Sequence, residues 1–252
     1  MIETKNNIIV TGAGKGIGKK VLFDCIRAGF FVYAIIRSKK DITEIKKKLK
    51  STSSYKLYQG DIRNVSLVKK IINDSKKSKR KIYGLVNNAG ERQRENFLNI
   101  NRNKLEQIFN NNFFNHFFFI QKIIENYLDK KDKKALSIIN IGSIVGVKGF
   151  AQLSGYASTK SAFEGLTKSL AVEFASKNIR VNIINPGFIK TSYYSNFKKN
   201  KKKLYNWTLK KTPLGRWGET SEISELIIFL LSDKSKYITG QSINVDGGWT
   251  IS

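Results

Sequence analysis

The stretch NIIVTGAGKGIG, residues 7–18, decides the fold. It opens with a β-branched run of strand type, turns through glycines, and leads into the helical pattern of KKVLFDCIRAG. Each glycine has a separate reason to be there: Gly12 for a tight turn, Gly16 for close backbone approach to a pyrophosphate, and Gly18 for close packing of helix on strand. The helix start then offers free N–H groups and the positive end of its dipole to an anion. The spacing is G-x-x-x-G-x-G, without the G-K-[ST] ending of a nucleoside triphosphatase loop. A dinucleotide is therefore the expected ligand.

The same alternation runs through the chain. Strands are expected over Asn7–Val10, Phe31–Ile36, Tyr55–Gln59, Ile82–Val86, Ala135–Ile141, Arg180–Ile184 and Ser242–Val245, with amphipathic helices between them. Val- and Ile-rich strands separated by helices predict an α/β fold, a doubly wound parallel sheet of about seven strands with helices on both faces. No repeat or Pro/Gly-rich linker divides the chain, so residues 1–252 are expected to form one domain. One segment breaks the rhythm. Residues 188–217 form a long, basic, aromatic excursion between two strands, with Tyr193, Tyr194, Tyr205 and Trp207, and a substrate lid is expected there.

Composition excludes several chemistries. Cys25 is the only cysteine and His116 the only histidine, so disulfide frameworks, thiolate zinc sites and Ser-His-Asp catalysis are set aside, and no metal is expected. His116 is read as structural. No run of 18 apolar residues occurs and the N-terminus lacks a signal-peptide pattern, so a soluble cytoplasmic protein is expected, with no membrane partner. The net charge of +27 would suit an anionic partner, but the lysines are scattered and no nucleic-acid-binding signature accompanies them. No nucleic-acid partner is expected.

The second strand ends in AIIRS. An acid at that strand end would take a ribose 2′-hydroxyl, and a basic residue suits a 2′-phosphate. Ile36 holds the acid position, Arg37 follows, and Lys15 adds a cation from the glycine loop. NADP(H) is expected over NAD(H). Further on, Tyr156 and Lys160 in GYASTKSAF are one helical turn apart on one face. The plain alternative is an exposed surface pair. The other reading is a proton donor: tyrosine ionises near pH 10, and a neighbouring ammonium favours the phenolate.

TGAGKGIG, NNAG (Asn87–Gly90), Ser143 with Tyr156-x-x-x-Lys160, and Pro186-Gly187 occur in that order. Together with LGRWGE (Leu214–Glu219), SKYITGQ (Ser235–Gln241) and VDGG (Val245–Gly248), they resemble the short-chain dehydrogenase/reductase family over essentially the whole chain. The tail is similar to that of 3-oxoacyl-(acyl-carrier-protein) reductases and sugar-reducing relatives. The resemblance implies hydride transfer between a nicotinamide and a carbonyl or alcohol. It implies Tyr156 as general acid, Ser143 as the hydrogen-bond partner of the substrate oxygen, and Lys160 on the nicotinamide ribose. It also implies Asn112 as holder of a water linked to Lys160, although Asn110 and Asn111 stand beside it. Cofactor contacts are implied for Gly12, Lys15, Gly16, Ile17, Gly18, Arg37, Asp61, Ile62, Asn88, Ala89, Gly90, Tyr156, Lys160, Pro186, Gly187, Ile189 and Thr191. Asp61 could equally be a helix cap, since Asn64 and Ser66 are near.

Two substrates compete. A 3-oxoacyl thioester on an acidic carrier protein would suit the basic rim at Lys198–Lys203 and Lys210–Lys211. A sugar, sugar acid or nucleotide-linked sugar would suit Arg92 and Arg94, which follow NNAG and could clamp a carboxylate or phosphate. The family resemblance also implies a homotetramer.

Overall fold

In the first strand, β1 (Asn7–Thr11), Ile8 and Val10 face one way and Ile9 the other, as the two-residue period of a strand requires. All three are fully buried, so both faces of the sheet must be covered. The structure, a computed structural model, describes residues 7–49, 53–129, 134–192 and 194–252. In it β1 is joined by β2 (Phe31–Ile36), β3 (Tyr55–Gln59), β4 (Ile82–Asn87), β5 (Leu136–Ile141), β6 (Ile179–Pro186) and, after two short strands, β9 (Ser242–Val245). These seven form one parallel sheet in the order β3-β2-β1-β4-β5-β6-β9. The expected strands are present, with ends that differ by at most two residues. The short pair β7 (Ile189–Lys190) and β8 (Gly218–Glu219) was not anticipated.

Helices α1 (Gly16–Arg27), α2 (Lys39–Lys48) and α9 (Thr220–Leu231) cover one face. They bury Val21, Leu22, Cys25, Ile45, Ile223 and Ile227 against Val10, Val32, Ala34 and Ile36. The other face buries Ile9, Tyr33, Ile35 and Ile138 under α3 (Val65–Lys77), α5 (Asn115–Leu128) and α6 (Ser154–Phe174), through Ile71, Phe119, Ile123 and Ala171. Each Val, Leu, Ile or Phe among them contributes roughly 1.5–3 kcal/mol by leaving water. Part of the lysine excess has a local cause: Lys46, Lys47 and Lys48 end α2, and Lys76 and Lys77 end α3, where cations complement the helix dipole.

The helix expected around the three asparagines is interrupted. α4 (Arg102–Phe109) passes into a π turn at Asn110–Phe114 before α5 resumes. Of the phenylalanines there, Phe119 is buried in the core, whereas Phe114, Phe117 and Phe118 are exposed. The 188–217 excursion is a pair of helices, α7 (Tyr194–Asn200) and α8 (Lys202–Lys211). Its two ends meet: the rings of Phe188 and Trp217 lie 5.2 Å apart, and Tyr194, Phe197 and Tyr205 pack on Trp217. Tyr193 lies outside the described residues.

Candidate active site

The strand order reverses about β1, which has β2 on one side and β4 on the other, and the crevice at such a reversal is where this architecture binds ligands. The glycine loop closes its floor. Gly12 and Gly16 have φ of +65° and +52°, a backbone region that other residues adopt only under strain. A Cβ on Gly12 would stand 2.8 Å from the Ala89 Cα, and one on Gly18 would collide with the Gly12 carbonyl and the Asn88 amide. α1 starts at Gly16 with no side-chain cap and no acid in its first turn. Its first amides are thus without a side-chain acceptor, a fit to the phosphates of a dinucleotide.

Thr11, which the sequence reading passed over, joins the two strand ends. Its Oγ1 accepts from the N–H groups of Asn88 and Ala89, each at 3.0 Å. The Asn88 side chain returns two bonds, to the carbonyls of Thr11 and Gly12, both at 3.2 Å. The other side of the NNAG turn is held from the helix behind it. Asn112 accepts from Glu91 N–H at 2.7 Å and donates to the Glu91 carbonyl at 2.8 Å. It is the buried member of the asparagine triplet; Asn111 reaches the Glu91 carboxylate at 2.8 Å. One turn on, His116 Nε2 lies 2.7 Å from the Ala89 carbonyl, and burial, with Lys160 nearby, pushes its pKa down to about 3. It is a neutral donor.

Ser143 leaves the end of β5 with its N–H on the Asn185 side chain and its Oγ accepting from Val145 N–H. Tyr156 lines the same cleft, near enough for the Ser143 side chain to favour its phenolate. Lys160 is buried; its Nζ donates to the Ile141 carbonyl at 2.7 Å and lies 5.7 Å from the Tyr156 ring centroid. A Cβ on Gly90 would lie 3.3 Å from Asn112 Oδ1 and 3.9 Å from Lys160 Nζ, so these three residues meet at one point. The expected electrostatics need correction. Burial raises the pKa of Tyr156 above the ordinary tyrosine value, and the opposing influences are the nearby Ser143 side chain and the Arg92 charge. Lys160 is itself lowered to about 8 by burial, with its hydrogen bond directed at a carbonyl.

Two adjoining clefts collect most of the candidates. One, of about 340 Å³, is lined by Gly12, Lys15, Arg37, Asp61, Ile62, Asn88, Ala89 and Gly90. The other, of about 700 Å³, is lined by Ile17, Arg92, Arg94, Ser143, Tyr156, Lys160, Pro186, Gly187, Ile189 and Thr191. Gly16, Gly18 and Asn112 line neither cleft; they stand against Thr191, against Gly12 and Asn88, and against the Glu91 main chain. Asp61 is not the helix cap, a role taken by Asn64. Burial works against its ionisation, but bonds from Arg63 and the charges of Arg63 and Arg37 hold its carboxyl below the usual range. Phe150, Phe188, Phe197 and Trp217 add an aromatic wall to the larger cleft, and Lys201 a fourth cation. The end of β2 carries no acid, but Asp41, from the first turn of α2, lines the smaller cleft.

A glycine-floored crevice leading to a serine, tyrosine and buried lysine defines an oxidoreductase that uses a nicotinamide cofactor. Residues 12–250 match the family model described as enoyl-(acyl carrier protein) reductase. The 3-oxoacyl-[acyl-carrier-protein] reductase of Buchnera aphidicola is 30% identical over 244 residues, 97% of each chain. That of Staphylococcus epidermidis is 33% identical over 243 residues, covering 95% of this chain and 97% of its own. Among solved structures, ElxO with NADP bound has a TM-score of 0.90 at 29% identity, covering 98% of this chain and 100% of that one. 4-Hydroxyisoleucine dehydrogenase complexed with NADH has a TM-score of 0.88 at 28% identity, covering 98% and 100%. The chain belongs to the short-chain dehydrogenase/reductase family.

Proposed function

We propose that the protein reduces the 3-oxo group of an acyl thioester with NADP(H), Tyr156 being the general acid. The observation that carries this reading is that Ser143, Tyr156 and the buried Lys160 line one cleft, with Lys160 Nζ 5.7 Å from the Tyr156 ring centroid. The full-length likeness to 3-oxoacyl-[acyl-carrier-protein] reductases supports the acyl substrate. Bound in the crevice, the reduced nicotinamide supplies the hydride to the carbonyl carbon. Ser143 holds the carbonyl oxygen within reach of Tyr156, and the Tyr156 hydroxyl transfers its proton to that oxygen as negative charge develops. Lys160, charged below about pH 8, holds the nicotinamide ribose, and the Ser143 side chain and the Arg92 charge favour the phenolate that remains. Asn112 and His116 are positioning residues that hold the turn lining the crevice. Lys15 and Arg37 favour a 2′-phosphate. The helix pair at residues 188–217 acts as the lid.

A second reading rests on Arg92 and Arg94, which both line the larger cleft. They suit the carboxylate or phosphate of a sugar acid or nucleotide sugar. Cofactor oxidation measured with an acetoacetyl thioester, and then with sugar acids, separates the two. Turnover of the thioester that survives Arg92→Ala and Arg94→Ala supports the acyl reading. Turnover confined to sugar acids and lost in those variants replaces it. The same reading carries a homotetramer in the cytoplasm.

A further inference from the structure

Asp41 lines the smaller cleft from α2, four residues beyond Arg37. It is the third residue of α2, its N–H bonded to the Ser38 hydroxyl that caps the helix. Its side chain is only 11% exposed, and Oδ1 lies 3.8 Å from Lys15 Nζ. A Cβ on Gly14 would lie 3.0 Å from Asp41 Oδ2, so the glycine loop leaves room for this carboxylate. The smaller cleft is thus lined by two cations, Lys15 and Arg37, and three carboxylates, Asp41, Asp61 and Glu91. Asp61 is engaged by Arg63 and Glu91 by Asn111. Asp41 is the one within ion-pair distance of Lys15, a cation on which the NADP(H) assignment depends, while Asp61 meets Arg37 only through its charge.

We propose that Asp41 sets the selectivity of the cofactor site at the ribose 2′ position. Its carboxylate holds Lys15 and accepts readily from a 2′-hydroxyl, whereas a 2′-phosphate must take Lys15 from it and bear its repulsion. Specificity often rests on such a repulsive element beside the attractive ones. The inference builds on the nicotinamide reading but not on which substrate is reduced or which cofactor wins.

The test is direct binding of NADPH and NADH to wild type and Asp41→Asn by titration calorimetry. Adenosine 2′,5′-bisphosphate and AMP serve as probes that lack the nicotinamide. Asp41→Asn is expected to tighten NADPH and the bisphosphate roughly tenfold or more, by removing one charge from a partly buried site, and to leave NADH and AMP unchanged or weaker. Wild type that prefers NADH would remove the NADP(H) assignment yet leave this expected gain in place. Equal shifts for both members of each pair, or no gain for the 2′-phosphates, would overturn the proposal. If Asp41→Asn does not fold, Asp41→Ser, which keeps an acceptor in the first turn without the charge, carries the same comparison.

Discussion

Lys160 and His116 are both buried, and both titrate away from their ordinary values for that reason, so pH should report on each. Lys160 is lowered to about 8. Its ammonium is present below that pH and lost as pH rises through it, so kcat/KM for reduction should fall above about pH 8. A profile flat to pH 10 would remove Lys160 from the step. His116 is lowered to about 3 by burial. Between that value and its unfolded value near 6.5, only the unfolded chain takes up the proton. Its contribution to stability is therefore present above about pH 6.5 and lost as pH falls, by at most about 1.4 kcal/mol per pH unit for one proton. His116→Gln, which keeps a donor for the Ala89 carbonyl, should flatten that slope in urea unfolding at stepped pH. Residues of this kind differ in how much the sequence reveals. Tyr156 and Lys160 were legible because one helical turn joins them. Asp41 was not, since it reads as an ordinary first-turn acid and meets Lys15 only through the turn between β2 and α2.

The strands were legible because short runs rich in aliphatic and aromatic residues alternate with helical stretches, and β3 and β9 stop at Gly60 and Asp246. The π turn at Asn110–Phe114 was not, because no glycine or proline marks it. The turn accompanies the burial of Asn112, whose side chain bonds the main chain of Glu91, far away in sequence. Asn112→Ala would leave both Glu91 groups without that partner. It should cost about 0.5–1.5 kcal/mol for each of the two part-buried bonds lost, read by urea unfolding, and lower kcat with it. In the helix pair α7–α8, Trp217 gathers four rings and donates to Thr208 at 2.7 Å. Trp217→Ala should cost about 3–5 kcal/mol as a cavity and raise KM more than it lowers kcat; an unchanged KM would separate this helix pair from the substrate.

At the scale of the whole molecule, the net charge of +27 gives the substrate proposal a salt test. An acidic carrier should be drawn to the basic rim, so KM for a carrier-linked substrate should rise between low and physiological ionic strength, while KM for a small neutral thioester stays constant. Exposed Phe114, Phe118 and Val172 leave apolar surface that the proposed homotetramer would cover, and sedimentation equilibrium reads its mass. Among the described residues no helix is long and apolar enough to cross a membrane. The reaction class was legible because several motifs fall in one order along the chain. The substrate was not, because it depends on which of Arg92, Arg94, Lys201 and the aromatic wall meet it. The most direct test of the central claim is NADPH oxidation with an acetoacetyl thioester by wild type and Tyr156→Phe, with cofactor binding measured alongside. The account predicts turnover by wild type and a fall of about 10²–10⁴-fold in the variant, with NADPH bound equally by both. Undiminished turnover in Tyr156→Phe would contradict it.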